Sequence, residues 1–285
     1  MGKRRYYFSN LMSGHLDLFY EELCALISQN TGISLKARHE KNWQERTQLF
    51  DSGEVQIASM CGLYYTKRLS MQPPQKLRLL ASPVMYASHY RHQPIYYSHI
   101  LVRSKAIEKT FQDLRGKSIA LNEPDSHSGF NALFSGLGEH NEADPFFSGF
   151  QLTGSHLNSL RCLVAGKVDS AIIDSTVLES EAAEDILKGS RGVRVLKTLG
   201  PSPAPPLVCQ EVLPREISQR IETFISSPVV HPELQELLAK EGLSHFTRVD
   251  DEYFHDIRDK DLRARNFLSQ CHGQLPGIFQ QKIYI

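Results

Sequence analysis

Several features that would assign this chain quickly are missing. No apolar run approaches the roughly 20 residues that a transmembrane helix needs, and the start, MGKRRYYFSNLMSGHLDLF, is basic without the apolar core of a signal peptide. Neither sign of charge is in excess. The 32 Lys and Arg residues balance 32 Asp and Glu, and neither half carries a basic block, which excludes the electrostatic footprint of a nucleic-acid binder. The five cysteines (Cys24, Cys61, Cys162, Cys209, Cys271) are odd in number and form no C-x-x-C pair. They read as reduced core residues and not as a disulfide frame or a zinc knuckle, which favours a reducing compartment. There is no N-x-S/T sequon and no G-x-S-x-G nucleophile elbow.

What is present is alternation. Short β-rich runs at 4–8, 33–38, 55–59, 77–85, 96–103, 118–121, 170–174 and 193–199 read as strands. Helical segments are expected at 15–30, 43–52, 128–138, 156–166, 175–188, 214–226, 231–241 and 250–270. In the first of these, Leu16, Phe19, Leu23, Leu26 and Ile27 recur at helical spacing and place one stripe against a sheet. The order predicts an α/β architecture built on mainly parallel sheets.

The chain is long enough for two medium domains, and its punctuation predicts two lobes. YYSHILVR is a long strand that opens a new strand–helix series, and the segment GPSPAPPLVCQ at 200–210 closes it. Pro201, Pro203, Pro205 and Pro206 forbid helix there and favour an extended crossing. The expected division is lobe 1 from 1–98 and 201–285, including a terminal helical segment, with lobe 2 inserted as 99–200 and two crossings between them.

Chemistry concentrates where strands turn into helices. EPDSHSGF (123–130) sets Ser126, His127, Ser128 and Gly129 between the apolar run SIAL and a helical segment. The first N–H groups of a helix lack partners, and together with the helix dipole they form an anion site, to which serine hydroxyls add donors. The plainer reading is that Ser126 or Ser128 caps the helix. LTGSHLNSL (152–160) repeats the device with Gly154, Ser155 and His156, and two such turns in one lobe suggest an oxyanion cleft. Asp174 follows the apolar strand SAIID, and its ordinary role is to cap the helix that begins at Ser175. GKS at 116–118 imitates the end of a P-loop, but Phe111 stands where the loop needs glycine and a strand follows, so Gly116 is expected only to make a turn. His89, His92 and His99, with His127 and His156, have no regular spacing and no acidic company, and no metal site is expected. Tyr64, Tyr65, Tyr96 and Tyr97 are either packing groups or the amphipathic lining of a cleft.

Four segments together resemble the phosphate/phosphonate-type periplasmic solute-binding proteins of ABC importers. They are YYSHILVRS, FQDLRGKSIALNEPDSHSGF, LTGSHLNSLRCLVAGKVDSAIIDSTVLE and PSPAPPLVCQEVLP, supported by the earlier SGEVQIASMCGLYY. The resemblance spans about residues 15–247. It implies a two-lobed type II periplasmic-binding-protein-like fold that closes by a hinge over a phosphonate, phosphate or related oxyanion in an interlobe cleft. The contacts it implies are Ser126, His127 and Ser128, an aromatic at Tyr96 or Tyr97, His156, and Asp174. Relatives that grip an amino-phosphonate carry an acidic residue after GSH, where this chain has Leu157, so an aminoalkyl group would fall to Asp174 alone.

The expected function is therefore capture of a small oxyanion-bearing ligand for an ABC importer, with no catalysis, no cofactor and no metal. Expected partners are the small-molecule ligand and the transporter's membrane subunits, and the chain is expected to be a monomer. Two alternatives stay open: an intracellular enzyme on the same fold using His127, His156 or a cysteine, or a sensing domain that signals to a protein partner. Location follows from processing. It is periplasmic or membrane-tethered outside the cytoplasm if a signal has been removed, and cytoplasmic if the chain is complete.

Overall fold

Tyr6 and Phe8 alternate inward along the first strand, β1 (Arg5–Asn10), as a half-buried strand should. The computed structural model describes residues 4–12, 14–40, 42–71, 76–139 and 146–271. The chain divides into one unit of Met1–Ile95 with Pro203–His255 and a second of Tyr96–Ser202 with Asp256–Ile285. Each holds one sheet among the described residues.

The first unit contains β1, α1 (Asp17–Thr31), β2 (Ser34–Arg38), α2 (Trp43–Asp51), β3 (Ile57–Ser59), α3 (Gly62–Ser70) and β4 (Leu77–Met85). After the second unit it resumes with β10 (Leu207–Gln210), α8 (Arg215–Ile225), α9 (Pro232–Lys240) and β11 (Leu243–Thr247). Its strand order is β11-β4-β10-β3-β1-β2. Helix α1 buries Phe19, Tyr20, Leu23, Cys24 and Ile27 in the core with Leu16 and Leu26 packed beside them, so the predicted stripe faces inward. Gly32, at φ 66°, closes the helix in the left-handed conformation that glycine adopts without penalty. This sheet departs from the expected parallel character. β1 pairs in parallel with β2 and β3, but β10 runs antiparallel to both β3 and β4, and β11 runs antiparallel to β4. The returning segment enters an existing sheet against its neighbours, which a local pattern of apolar residues does not report.

The second unit contains β5 (Ile95–Arg103), β6 (Ser118–Leu121), α4 (Ala132–Glu139), β7 (Gly149–Leu152), α5 (His156–Val164), β8 (Ser170–Asp174), α6 (Ser175–Leu178), α7 (Glu181–Leu187), β9 (Val193–Pro203) and α10 (His255–Gln270). Its order is β7-β6-β8-β5-β9, with β7, β6 and β8 parallel and β5 antiparallel to β8. Every residue of β8 is buried, as a central strand covered on both faces requires.

Three local differences from expectation have physical causes. The helix expected over 175–188 breaks because the Ser180 side chain accepts from the Ala183 N–H at 3.3 Å and starts α7 afresh. The helix expected over 128–138 begins instead with a π turn, His127–Asn131, closed by the Asn131 N–H on the Ser126 carbonyl at 3.0 Å. Helix α3 was not anticipated, because GLYYTKRLS is short, rich in strand-favouring tyrosine and lacks a side-chain cap.

The largest correction concerns the C-terminal helix, which was expected in the first lobe. Ala264, Phe267, Leu268 and Cys271 instead share a core with Phe130, Phe134, Phe146 and Phe147 of the second unit. The chain therefore passes between the units a third time, at His255/Asp256, beyond the two expected crossings. Residues 272–285, also assigned to the first lobe, lie outside the described residues.

Candidate functional site

The parallel order of β7, β6 and β8 brings three strand-to-helix turns of the second unit to one edge of its sheet, because each strand ends where the next helix starts. Open α/β sheets bind ligands at such carboxyl ends. The turns are 122–126 before the π turn, 153–155 before α5, and Asp174 before the single-turn α6.

In the first turn, Ser126 is an N-cap with extended backbone, and its Oγ accepts from the Gly129 N–H at 3.0 Å. Its hydroxyl also lies 3.4 Å from that of Ser128. The cap reading of Ser126 therefore holds, and it leaves the Ser128 hydroxyl for other partners. Ser128 Oγ sits 2.9 Å from Nε2 of His156, which joins the two turns that the sequence singled out separately. In the second turn Ser155 caps α5 by accepting from the Asn158 N–H at 3.2 Å.

His156 is half-buried, and burial lowers its imidazole from the ordinary 6.5 to about 4, with the Ile172 backbone pulling weakly the other way. The ring is therefore neutral near pH 7. Its inner Nδ1 has no partner in good hydrogen-bonding geometry among the described residues. Asp174 caps α6, its Oδ1 accepting from the Thr176 N–H at 2.9 Å and from the Thr176 hydroxyl at 2.8 Å. Burial pushes its carboxyl above the ordinary range, while hydrogen bonds from Thr176, Ser128 and the Val177 backbone work against the rise. Ser128 thus stands beside both an imidazole that resists protonation and a carboxyl that holds its proton more tightly than usual.

His127 belongs to the frame. It is fully buried, with its Nδ1 3.0 Å from Asn131 Nδ2 and its Nε2 3.1 Å from the Ser202 hydroxyl. Both ring nitrogens therefore have internal partners. Tyr96 is buried with its ring edge-on to His127 at 6.4 Å. Tyr97, one residue along the same strand, turns to the other face. Its ring stacks on His99 at 6.4 Å and its N–H donates to the Ser175 hydroxyl at 3.0 Å. Of the two candidate tyrosines, only Tyr96 joins this cluster. Its place follows from register: β5 opposes Ser98 to Asp174, so the start of β5 meets the end of β8.

Sequence reasoning passed over Asn122, Asn131 and Ser202. Asn122 is buried, and its Oδ1 has no hydrogen-bond partner among the described residues. A Cβ on Gly129 would fall 1.8 Å from that oxygen and 3.4 Å from the His156 ring, so this glycine lets two turns approach closely. The sequence reads Gly129 only as part of the turn in SHSGF; its close approach to Asn122 and His156 leaves no local signal.

The other motifs resolve into structure. Lys117 of GKS pairs with Glu108 at 3.1 Å, the Ser118 hydroxyl bonds Asp169 at 2.7 Å, and Gly116 makes its turn at φ 75°. Among the described residues no group of three His, Cys, Asp or Glu side chains is placed to hold a metal. Burial raises the thiols of Cys24 and Cys209, away from the thiolate form that nucleophilic chemistry requires.

The structure of a binding protein component of an ABC phosphonate transporter from Pseudomonas aeruginosa is similar at 18% identity and a TM-score of 0.76, covering 99% of this chain and 94% of that one. PhnD1 from Prochlorococcus marinus, in complex with methylphosphonate, is 14% identical with a TM-score of 0.74, covering 92% and 98%. The periplasmic aliphatic sulphonate binding protein SsuA from Escherichia coli is 13% identical with a TM-score of 0.59, covering 100% and 93%. No curated protein matches the sequence. At these identities the solved structures establish the type II periplasmic-binding fold. The sequence model described as ABC transporter, phosphonate, periplasmic substrate-binding protein matches residues 7–254. Its members are extracytoplasmic solute-binding proteins that serve ABC transporters with a small-molecule ligand. With the greater part of its length matched, this chain belongs to the family of periplasmic substrate-binding proteins of phosphonate ABC transporters.

Proposed function

We propose that this solute-binding protein takes a small oxyanion, a phosphonate or phosphate ester first, at the turns that follow β6 and β7 in its second unit. Ser126, Ser128 and His156 supply neutral donors, Tyr96 stands beside them, and Asp174 takes the protonated part of the ligand. The observation that carries the reading is the 2.9 Å approach of Ser128 Oγ to His156 Nε2, which makes one site of two helix starts. Helix N-termini favour negative charge by about 0.3–1 kcal/mol, and each hydrogen bond to a charged oxygen adds roughly 1.5–3 kcal/mol. Micromolar affinity needs about 8 kcal/mol, so four or five such contacts supply it after ordering costs.

The carboxyl of Asp174, held above its ordinary range, is suited to share a proton with a phosphonate or to meet a cationic tail. The arrangement favours binding over catalysis. A hydrolytic triad sets the carboxylate behind the histidine, whereas Asp174 here interacts with Thr176 and Ser128.

A thermal-shift screen of the protein against methylphosphonate, phosphate, phosphite, sulfate, selenate and a phosphate monoester tests the proposal, since a ligand of the native state raises its apparent stability. Stabilisation by phosphonate or phosphate that vanishes in Ser126→Ala/Ser128→Ala supports it. Stabilisation that survives in that variant confines the two serines to holding the turn and overturns the site, and turnover of any of these compounds overturns the binding role.

A further inference from the structure

One chain of polar contacts in the second unit runs from the half-buried Lys260 to the fully buried His127 ring. The Lys260 ammonium, on α10, has three acceptors for its three protons: Asp256 Oδ2 at 2.6 Å, the Pro201 carbonyl at 3.1 Å and the Ser202 hydroxyl at 3.1 Å. The Ser202 hydroxyl in turn lies 3.1 Å from Nε2 of His127. Across the ring, Asn131 Nδ2 lies 3.0 Å from Nδ1. An amide nitrogen only donates, so Nδ1 carries no proton and Nε2–H donates to Ser202. Asn131 then acts twice: its backbone N–H closes the π turn on the Ser126 carbonyl, and its side chain fixes the His127 ring. π turns are wider and less favourable than α turns and need support from outside themselves. Here that support is the His127 ring, anchored through Ser202 to a cation on another helix.

We propose that Lys260 and Ser202 are positioning residues for the oxyanion turn: the Lys260 ammonium, through the Ser202 hydroxyl, fixes the orientation of the His127 ring and so sets where Ser126 and Ser128 stand. The role rests on the reading of those serines as ligand contacts. Lys260 stands on α10, beyond residue 254, where the family match ends, while Ser202 lies within it. A lysine that only held α10 in place would affect stability alone. One that holds the π turn also affects affinity, because a small shift of a positioned donor weakens its hydrogen bond.

The test uses the full chain, with methylphosphonate as probe, and the variants Lys260→Met, Lys260→Arg and Ser202→Ala. Nitrogen-15 spectra of the histidine rings, with His127 assigned from His127→Gln, report its tautomer without any ligand. The expected result is an Nε2–H signal in the parent protein that shifts or broadens in Lys260→Met. Calorimetric titration is then expected to show a Kd at least tenfold weaker in Lys260→Met, with Lys260→Arg within threefold of the parent. Should Lys260→Met fail to fold, Ser202→Ala is read by the same two measurements. An Nδ1–H tautomer in the parent, or a Kd unchanged in both variants whatever their melting temperatures, overturns the positioning role. A parent protein that binds none of the oxyanions while showing the expected His127 signal overturns the reading of the site, and the positioning role with it.

Discussion

Ser128 Oγ and His156 Nε2 lie 2.9 Å apart across 28 positions of sequence, and through that contact two separate strand-to-helix turns meet. The contact also places Ser128 beside the buried carboxyl of Asp174.

Ser128 is the most direct probe of that site. Its side chain caps nothing, since Ser126 supplies the cap, so Ser128→Ala is expected to leave the melting temperature within a few degrees of the parent. Loss of a hydrogen bond to a charged ligand is worth roughly 1.5–3 kcal/mol, which is about a 10- to 150-fold weaker Kd for methylphosphonate by titration calorimetry. An unchanged Kd would remove Ser128 from the site.

The lowered imidazole of His156 makes stability depend on pH in a definite direction. The unfolded chain takes up this proton near pH 6.5, and the folded chain only near 4. Stability from this group is therefore complete above pH 6.5 and is lost as the pH falls toward 4. Thermal unfolding of His156→Gln between pH 4.5 and 6.5 is expected to show a shallower dependence than the parent. Asp174 acts in the opposite sense: with its carboxyl raised, the folded chain holds the proton longer, so this group costs stability as the pH rises. Asp174→Asn keeps a capping side chain and is expected to raise the melting temperature at pH 7.

Gly129→Ala tests the close approach beneath the turn. The added Cβ would meet Asn122 Oδ1 at 1.8 Å, inside a packed region, and overpacking of this kind costs about 1–3 kcal/mol. The melting temperature is expected to fall, and Asn122→Ala in the same chain is expected to recover part of the loss. If the double variant melts no higher than the single one, Asn122 is not the obstacle.

Phe267→Ala tests the assignment of the terminal helix to the second core. The ring is 7% exposed and lies 6.3 Å from that of Phe134. Truncating a buried phenylalanine costs about 3–5 kcal/mol, so the variant is expected to unfold at markedly lower urea than the parent. Near-parental stability would mean that α10 contributes little to this core.

Much of the architecture was legible because it is written in local pattern. β4, β6 and β8 begin and end where their apolar runs do, since flanking polar and glycine residues stop a strand wherever it later pairs. The Gly/Ser/His turns stood out for a similar reason: a cap and a helix start involve only neighbours in sequence. The direction of β10, the core joined by α10 and the burial of His127 were not legible. Each depends on a partner more than 60 residues away: β3 and β4 for the strand, Phe130 and Phe134 for the helix, Ser202 for the imidazole.

By itself, then, the sequence determined that strands and helices alternate, that two turns of the second unit carry serine and histidine at helix starts, and that no block of charge or disulfide frame directs the fold. Only the tertiary structure decided what those side chains do. Within EPDSHSGF it made Ser126 a cap, left the Ser128 hydroxyl facing His156, and buried His127 against Asn131 and Ser202. The physical reason is that helix and strand preferences act over a few residues. The partner of a polar side chain, and with it the side chain's role as support or ligand contact, is set by packing between segments distant in the chain.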